Sequence, residues 1–281
     1  MVFLKKYENV LLLSLLITLF AGLSFPVYIW LFTSWEINPF YSHGILIPII
    51  SFFLFWRVYA HNSLLITNSG ATRGLIIFGF GLMLYCVGNF FSAWAISGIS
   101  LIITLYGIIF QVTGPEFSKK CLFPVFFLVF MIPMPNIDVI ATWLAAVSGC
   151  LAASLGNLLA IPAISNGAEI SLPTASLVVG LPCSGMNTII GLYIPASLLI
   201  YFLDCPVREK IAFWFLILPV AILSNIVRIL LLLMVASWCG TNCMMSFFHT
   251  LYGILLPVVA FLFLVLIIIA GKCFHFRSDI W

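Results

Sequence analysis

Three short stretches hold the side chains most able to do chemistry. "VGLPCSGMNT", Val179–Thr188, places Cys183 between a proline and a Ser-Gly pair. "SNIVRI", Ser224–Ile229, places Arg228 inside a long apolar run, and "HTLYG", His249–Gly253, opens another such run with a histidine. A thiol, a fixed cation and an imidazole make up a nucleophile, an oxyanion stabiliser and a proton shuttle. Proline favours the first turn of a helix, so Pro182 predicts that Cys183 sits at a helix mouth. There the helix dipole and a nearby arginine would both lower the thiol pKa. The competing reading is a small, inert packing cysteine.

Arg228 carries its own argument. A charge within an apolar span is costly and by default faces the protein interior or a wet cavity. It lies about 18 residues from the nearer basic flank, roughly 27 Å along a helix, too far to snorkel there. Asn225 stands three residues earlier, on the same helical face, where it can hydrogen-bond the guanidinium or its ligand. Ser184 and Gly185 adjoin the thiol, and Gly185 permits close backbone approach by a substrate. His43, in "NPFYSHGILIPIISFFLFWR", is the rival of His249 and a second candidate for substrate contact. HExxH and GxGD motifs are absent, which disfavours metallo- and aspartyl-protease chemistry. The eight cysteines form no CxxC pairs, so no metal or cofactor site is expected. Cys239 and Cys243, in "WCGTNC", are either a disulfide or two unpaired thiols.

The elements that must position these groups follow from composition. The chain has 281 residues, 64% of them hydrophobic and only 7% charged, so it cannot cover a water-facing surface. It reads as an all-α polytopic membrane protein in a single domain, 1–281. A net charge of +3 gives no ground for a nucleic-acid partner. Lys5 and Lys6 before an apolar run resemble a signal peptide, but the run has full spanning length and no clear cleavage site, so a retained first helix is expected.

Apolar runs fall at roughly 10–32, 44–60, 74–91, 94–113, 121–134, 138–160, 183–203, 211–237 and 249–270. Short cytoplasmic loops carry the Lys and Arg. Lys5, Lys6, Arg57, Arg73, Lys119, Lys120, Arg208, Lys210, Lys272 and Arg277 all fall inside if about eight runs span. The outer loops then hold Glu36, Asp138 and Glu169. Eight spans require one run not to cross. The small and polar residues of 138–160 suit an outer interfacial helix, and the alternative is that 121–134 does not span. Asn166-Gly167 is a two-residue hairpin signal, so a small extracytoplasmic β-hairpin or meander should precede Cys183. On either topology Cys183, Arg228 and His249 share the outer side.

These residues resemble the exosortase/archaeosortase family, polytopic cysteine transpeptidases that process C-terminal sorting signals. "CSG" at Cys183–Gly185, "SNIVRI" and "HTLYG" carry the resemblance, supported by "YSHGILIPIISFFLFW", "FMIPMP" and the hairpin before "CSG", over about 41–269. The resemblance implies Cys183 as nucleophile, Arg228 as stabiliser and His249 as acid/base. It implies exported protein substrates ending in a short motif, a hydrophobic helix and a basic cluster, of the PEP-CTERM type. It implies a prokaryotic cell (inner) membrane, with lipid as the other partner and the active site on the extracytoplasmic side. "MNT", after the "CSG" turn, departs from many relatives. The competing class is a transporter or flippase of a cell-envelope polysaccharide pathway, because intramembrane arginines also mark translocation routes.

Overall fold

The computed structural model describes residues 18–61, 71–173, 175–243, 249–273 and 275–277; within them the side chains of 71, 175, 182, 241–243 and 249–250 are left out. Residues 10–17 of the expected first span lie outside that set. The chain divides into two compact units, Met1–Pro135 and Asn136–Trp281.

The first unit is helical. Helix α1 (Phe25–Ile37) leads through a 3-10 turn (Ser42–Ile45) into α2 (Leu46–His61). An antiparallel pair follows, α3 (Ala71–Phe90) and α4 (Trp94–Lys120), then the short α5 (Leu122–Phe127) and a 3-10 turn to Met131. Small residues let α3 and α4 close. A Cβ at Gly81 would lie 2.3 Å from Thr104 Oγ1, and one at Gly107 only 2.6 Å from the backbone nitrogen of Phe78. Such contacts suit membrane helices, whose packing depends on close backbone approach. Gly114, with φ of 77° ahead of Pro115, breaks the helical path near the Lys119–Lys120 end.

The segment 121–134 runs alongside α2 from end to end. Cys121 packs with Val58 and Phe117. Ser51 Oγ donates to the Pro124 carbonyl (2.6 Å). Trp35 Nε1 donates to the Met131 carbonyl (2.7 Å), and the Met134 amide donates to the Tyr41 hydroxyl (2.8 Å). A ten-residue helix reaches that far because extended residues continue it.

The second unit has two storeys threaded by one helix. Its elements are α6 (Ile137–Leu158), strands β1 (Ile164–Asn166), β2 (Glu169–Leu172) and β3 (Ala175–Val178), a 3-10 turn (Leu181–Cys183), α7 (Met186–Phe202), α8 (Val207–Cys243) and α9 (His249–Ala270). The strands form an antiparallel meander, β1-β2-β3. Its first turn sits one residue later than the Asn166-Gly167 expectation. Asn166 pairs with Glu169, leaving Gly167 (φ 65°) and Ala168 as the turn, the pattern that places glycine first. In one storey, Ile217, Val220 and Ala221 of α8 pack with Leu192, Ala196 and Ile200 of α7 and Ala260 and Leu264 of α9. In the other, Ile226, Ile229, Leu232, Leu233 and Ala236 of α8 pack with Ala145, Ala152 and Ala153 of α6 and with the alternating sheet residues Ile170, Leu172, Leu177 and Val179.

By length and apolarity six helices among the described residues qualify to cross a membrane, Ile137–Leu158 among them, and 122–131 and 186–202 are shorter apolar helices. Together with the apolar faces that α2, α3 and α9 leave exposed, these helices make the chain an integral membrane protein. Cys239 is disulfide-bonded, and the side chain of Cys243 lies outside the described residues.

Candidate active site

The site lies where the two storeys meet. Leaving the sheet, the chain turns through Leu181–Cys183 and reaches α7 only at Met186, with Gly185 as its N-cap. Cys183 therefore ends the 3-10 turn that contains Pro182 and stands at the mouth of α7, three residues ahead of its first residue, as the position of Pro182 predicts. Gly185 takes φ of 93°, a left-handed conformation that favours glycine. Ser184 is fully buried. Its hydroxyl donates to the Leu181 carbonyl (2.7 Å) and accepts from the Met186 amide (3.2 Å). That residue holds the turn, with both hydrogen bonds spent inside it.

Asn225 and Arg228 reach this turn from α8, three residues apart on one face as their spacing predicts. Asn225 is 1% exposed, and its Nδ2 donates to the Cys183 carbonyl (3.2 Å). A Cβ at Gly185 would lie 2.8 Å from Asn225 Cγ, so that glycine makes room for the amide. The Oδ1 of Asn225 is buried and has no hydrogen-bond partner among the described residues. Arg228 is 7% exposed and close enough to act electrostatically on the Cys183 thiol.

That thiol does not behave as the helix-mouth argument predicts. Cys183 is 8% exposed. Burial pushes its pKa above the usual thiol range, and the Arg228 charge opposes the rise. Desolvation penalises the thiolate more than the single cation stabilises it. The fold supplies the expected lowering influence and outweighs it.

Helix α9 closes the third side. A Cβ at Gly253 would lie 3.3 Å from Arg228 Nη2, so glycine lets the guanidinium rest against that helix. Position 249 is one turn earlier on the same helical face. Ser224 Oγ, part of the "SNIVRI" stretch but given no role by the sequence reading, donates to the Leu256 carbonyl (3.3 Å) and ties α8 to α9. Thr188, in the divergent "MNT", is buried, whereas Asn187 is exposed.

His43 belongs to the first unit. It sits in the 3-10 turn ahead of α2, its ring 6.0 Å from that of Tyr41, with a hydrogen bond to the Phe130 backbone. Its Nε2 is buried and has no hydrogen-bond partner among the described residues. Gly44 beside it leaves space for the Trp35 indole, which a Cβ would strike at 2.2 Å.

The family model described as transmembrane exosortase (Exosortase_EpsH) matches residues 35–266. No curated protein and no solved structure matches the chain.

Proposed function

Because the chain belongs to the transmembrane exosortase family, we propose that it is a membrane cysteine transpeptidase that cleaves the C-terminal sorting signal of exported proteins. The observation that carries this reading is the convergence on Cys183: Asn225 bonded to its carbonyl, the Arg228 charge on its thiol, and Gly253 of α9 against that arginine.

The substrate's hydrophobic tail lies in the bilayer beside the helices, and its scissile peptide reaches Cys183. The imidazole of His249 takes the thiol proton, and the sulfur attacks the peptide carbonyl. Arg228 stabilises the oxyanion. His249 then protonates the leaving amine, and a thioester remains for an amine acceptor or water to resolve. Asn225 has a role beyond holding the turn, because its buried Oδ1 is suited to accept a peptide N–H of the substrate. A thiol kept protonated by burial suits this scheme, since it is idle until substrate and base assemble around it.

Sidedness is supported from two directions. Helix α8 runs 34 residues from Val207 to Gly240, about 51 Å against a hydrocarbon core of about 30 Å. Entering near Arg208 and Lys210, it leaves that core close to Arg228. The storey beyond, with α6 and the sheet, then lies at the outer face. Disulfides persist in oxidising compartments, and Cys239 is on that stretch of α8.

The test is processing in cells with trapping in vitro. Cys183→Ala should abolish release of a tail-bearing substrate, and a peptide-based thiol probe should label Cys183 alone. Cleavage that persists in Cys183→Ala would sink the assignment. Transport of an envelope glycan without any covalent intermediate would favour the flippase class.

A further inference from the structure

The opposite end of α8 carries a second cluster of reactive groups. Cys205 lies in the connection between α7 and α8, Glu209 near the start of α8, and Cys273 just beyond α9. One ligand atom from each, two sulfurs and a carboxylate oxygen, all lie within 4.8 Å of one another. Cys205 Sγ is 3.2 Å from the Cys273 carbonyl, and Cys273 Sγ contacts Glu209 Oε2. Sixty-four residues separate Cys273 from Glu209, so only the tertiary fold brings them together.

The backbone holds the group in place. The Asp204 amide donates to the His275 carbonyl (2.7 Å) and the Arg277 amide to the Phe202 carbonyl (2.9 Å). Leu203 and Phe276 form a β-bridge between those bonds. Cys273 is buried with Leu203 and Ile268. Both thiols are free, whereas Cys239 at the other end of α8 is disulfide-bonded.

We propose that Cys205, Glu209 and Cys273 form a site for a thiophilic divalent cation, with Zn²⁺ the best fit, that clips the chain after α9 to the start of α8. Two thiolates and a carboxylate are a zinc donor set. Tetrahedral bonds of about 2.3 Å to sulfur and 2.0–2.2 Å to oxygen place the donors roughly 3.5–3.8 Å apart, inside the observed spacing. The fourth position is open to water. Binding releases two thiol protons to solvent and leaves the cation facing three negative donors. Arg208, Lys210, Lys272 and Arg277 flank the three donors in sequence. Basic flanks mark the cytoplasmic side, where thiols stay reduced and metal binding is favoured over a disulfide.

The test uses the full chain purified in detergent, with Zn²⁺ and Co²⁺ as probes. The wild type should retain one more equivalent of Zn²⁺ after dialysis than Cys205→Ser/Cys273→Ser, and its Co²⁺ form should show a thiolate charge-transfer band that this variant lacks. Glu209→Gln keeps both sulfurs and the fold, so it should keep the band while weakening affinity at least ~10-fold. Zn²⁺ should raise the Tm of the wild type and not that of the double variant. Equal metal content in wild type and double variant would overturn the site. So would a Cys205–Cys273 disulfide found by mass spectrometry in freshly isolated protein. If the double variant does not fold, an unchanged affinity in Glu209→Gln overturns it instead.

Discussion

At the scale of single residues, the informative result is the sign of the Cys183 shift. Residue types alone single out the thiol, the cation and the amide as candidates, because an arginine in an apolar run demands a reason. They do not give the depth of the thiol, which depends on how the sheet and three helices close over it. With burial pushing the pKa up and Arg228 pulling it down, alkylation of Cys183 should be slow at neutral pH and quicken only above the range of an ordinary thiol. Arg228→Gln removes an influence that favours the thiolate, so the midpoint of the alkylation profile should move to higher pH. A midpoint that stays or falls would remove Arg228 from the thiol's surroundings. The same turn yields a steric prediction. Gly185→Ala puts a Cβ in a left-handed backbone, costing about 1–2 kcal/mol, and drives it into Asn225. Processing should fall more steeply than Tm, since the amide displaced is the one that holds the Cys183 carbonyl.

At the scale of elements, apolar runs and turn residues place most helices and the hairpin, because periodicity and glycine chemistry are local. What depends on the partner's shape is not local. The Gly167 turn slides by one residue to keep Ile170 and Leu172 facing α6 and α8. Cys205 and Cys273 are 68 residues apart, and only the folding back of the chain after α9 brings both beside Glu209. In the α3–α4 pair, several glycines look alike in sequence and differ in what they face. Gly107→Ala meets the backbone of Phe78, whereas Gly79→Ala meets nothing within 4 Å. The first should lower thermal stability in detergent by about 1–3 kcal/mol and the second should leave it unchanged. Equal effects would mean that the close approach of α3 and α4 is not what those small residues serve.

At the scale of the whole molecule, the distribution of basic residues and the packing of the second unit bear on the same question, the path of α6. By length and apolarity Ile137–Leu158 qualifies as a span. Its partners argue otherwise. It packs on Ile226–Ala236 of α8 and on the sheet, whereas α7 and most of α9 take the half of α8 that begins beside Arg208, with Tyr252 near the start of α9 reaching the first group. We propose that a helix wrapped around the far half of a rod of about 51 Å lies outside the bilayer that holds the near half. The segment 121–134, short by helix length, nonetheless traverses the full extent of α2. On this proposal the chain makes the eight crossings that its basic residues suggest, with α6 at the outer surface. The expected outcome is specific. With Cys86 and Cys150 replaced by serine, reporter cysteines at Asp138 and Leu158, both exposed and at opposite ends of α6, should each react with a membrane-impermeant maleimide applied from outside intact cells. If α6 crosses, only one end will react. The site at Cys183 would then have to be placed on a side of the membrane by other means, because the sheet that leads into it follows the end of α6.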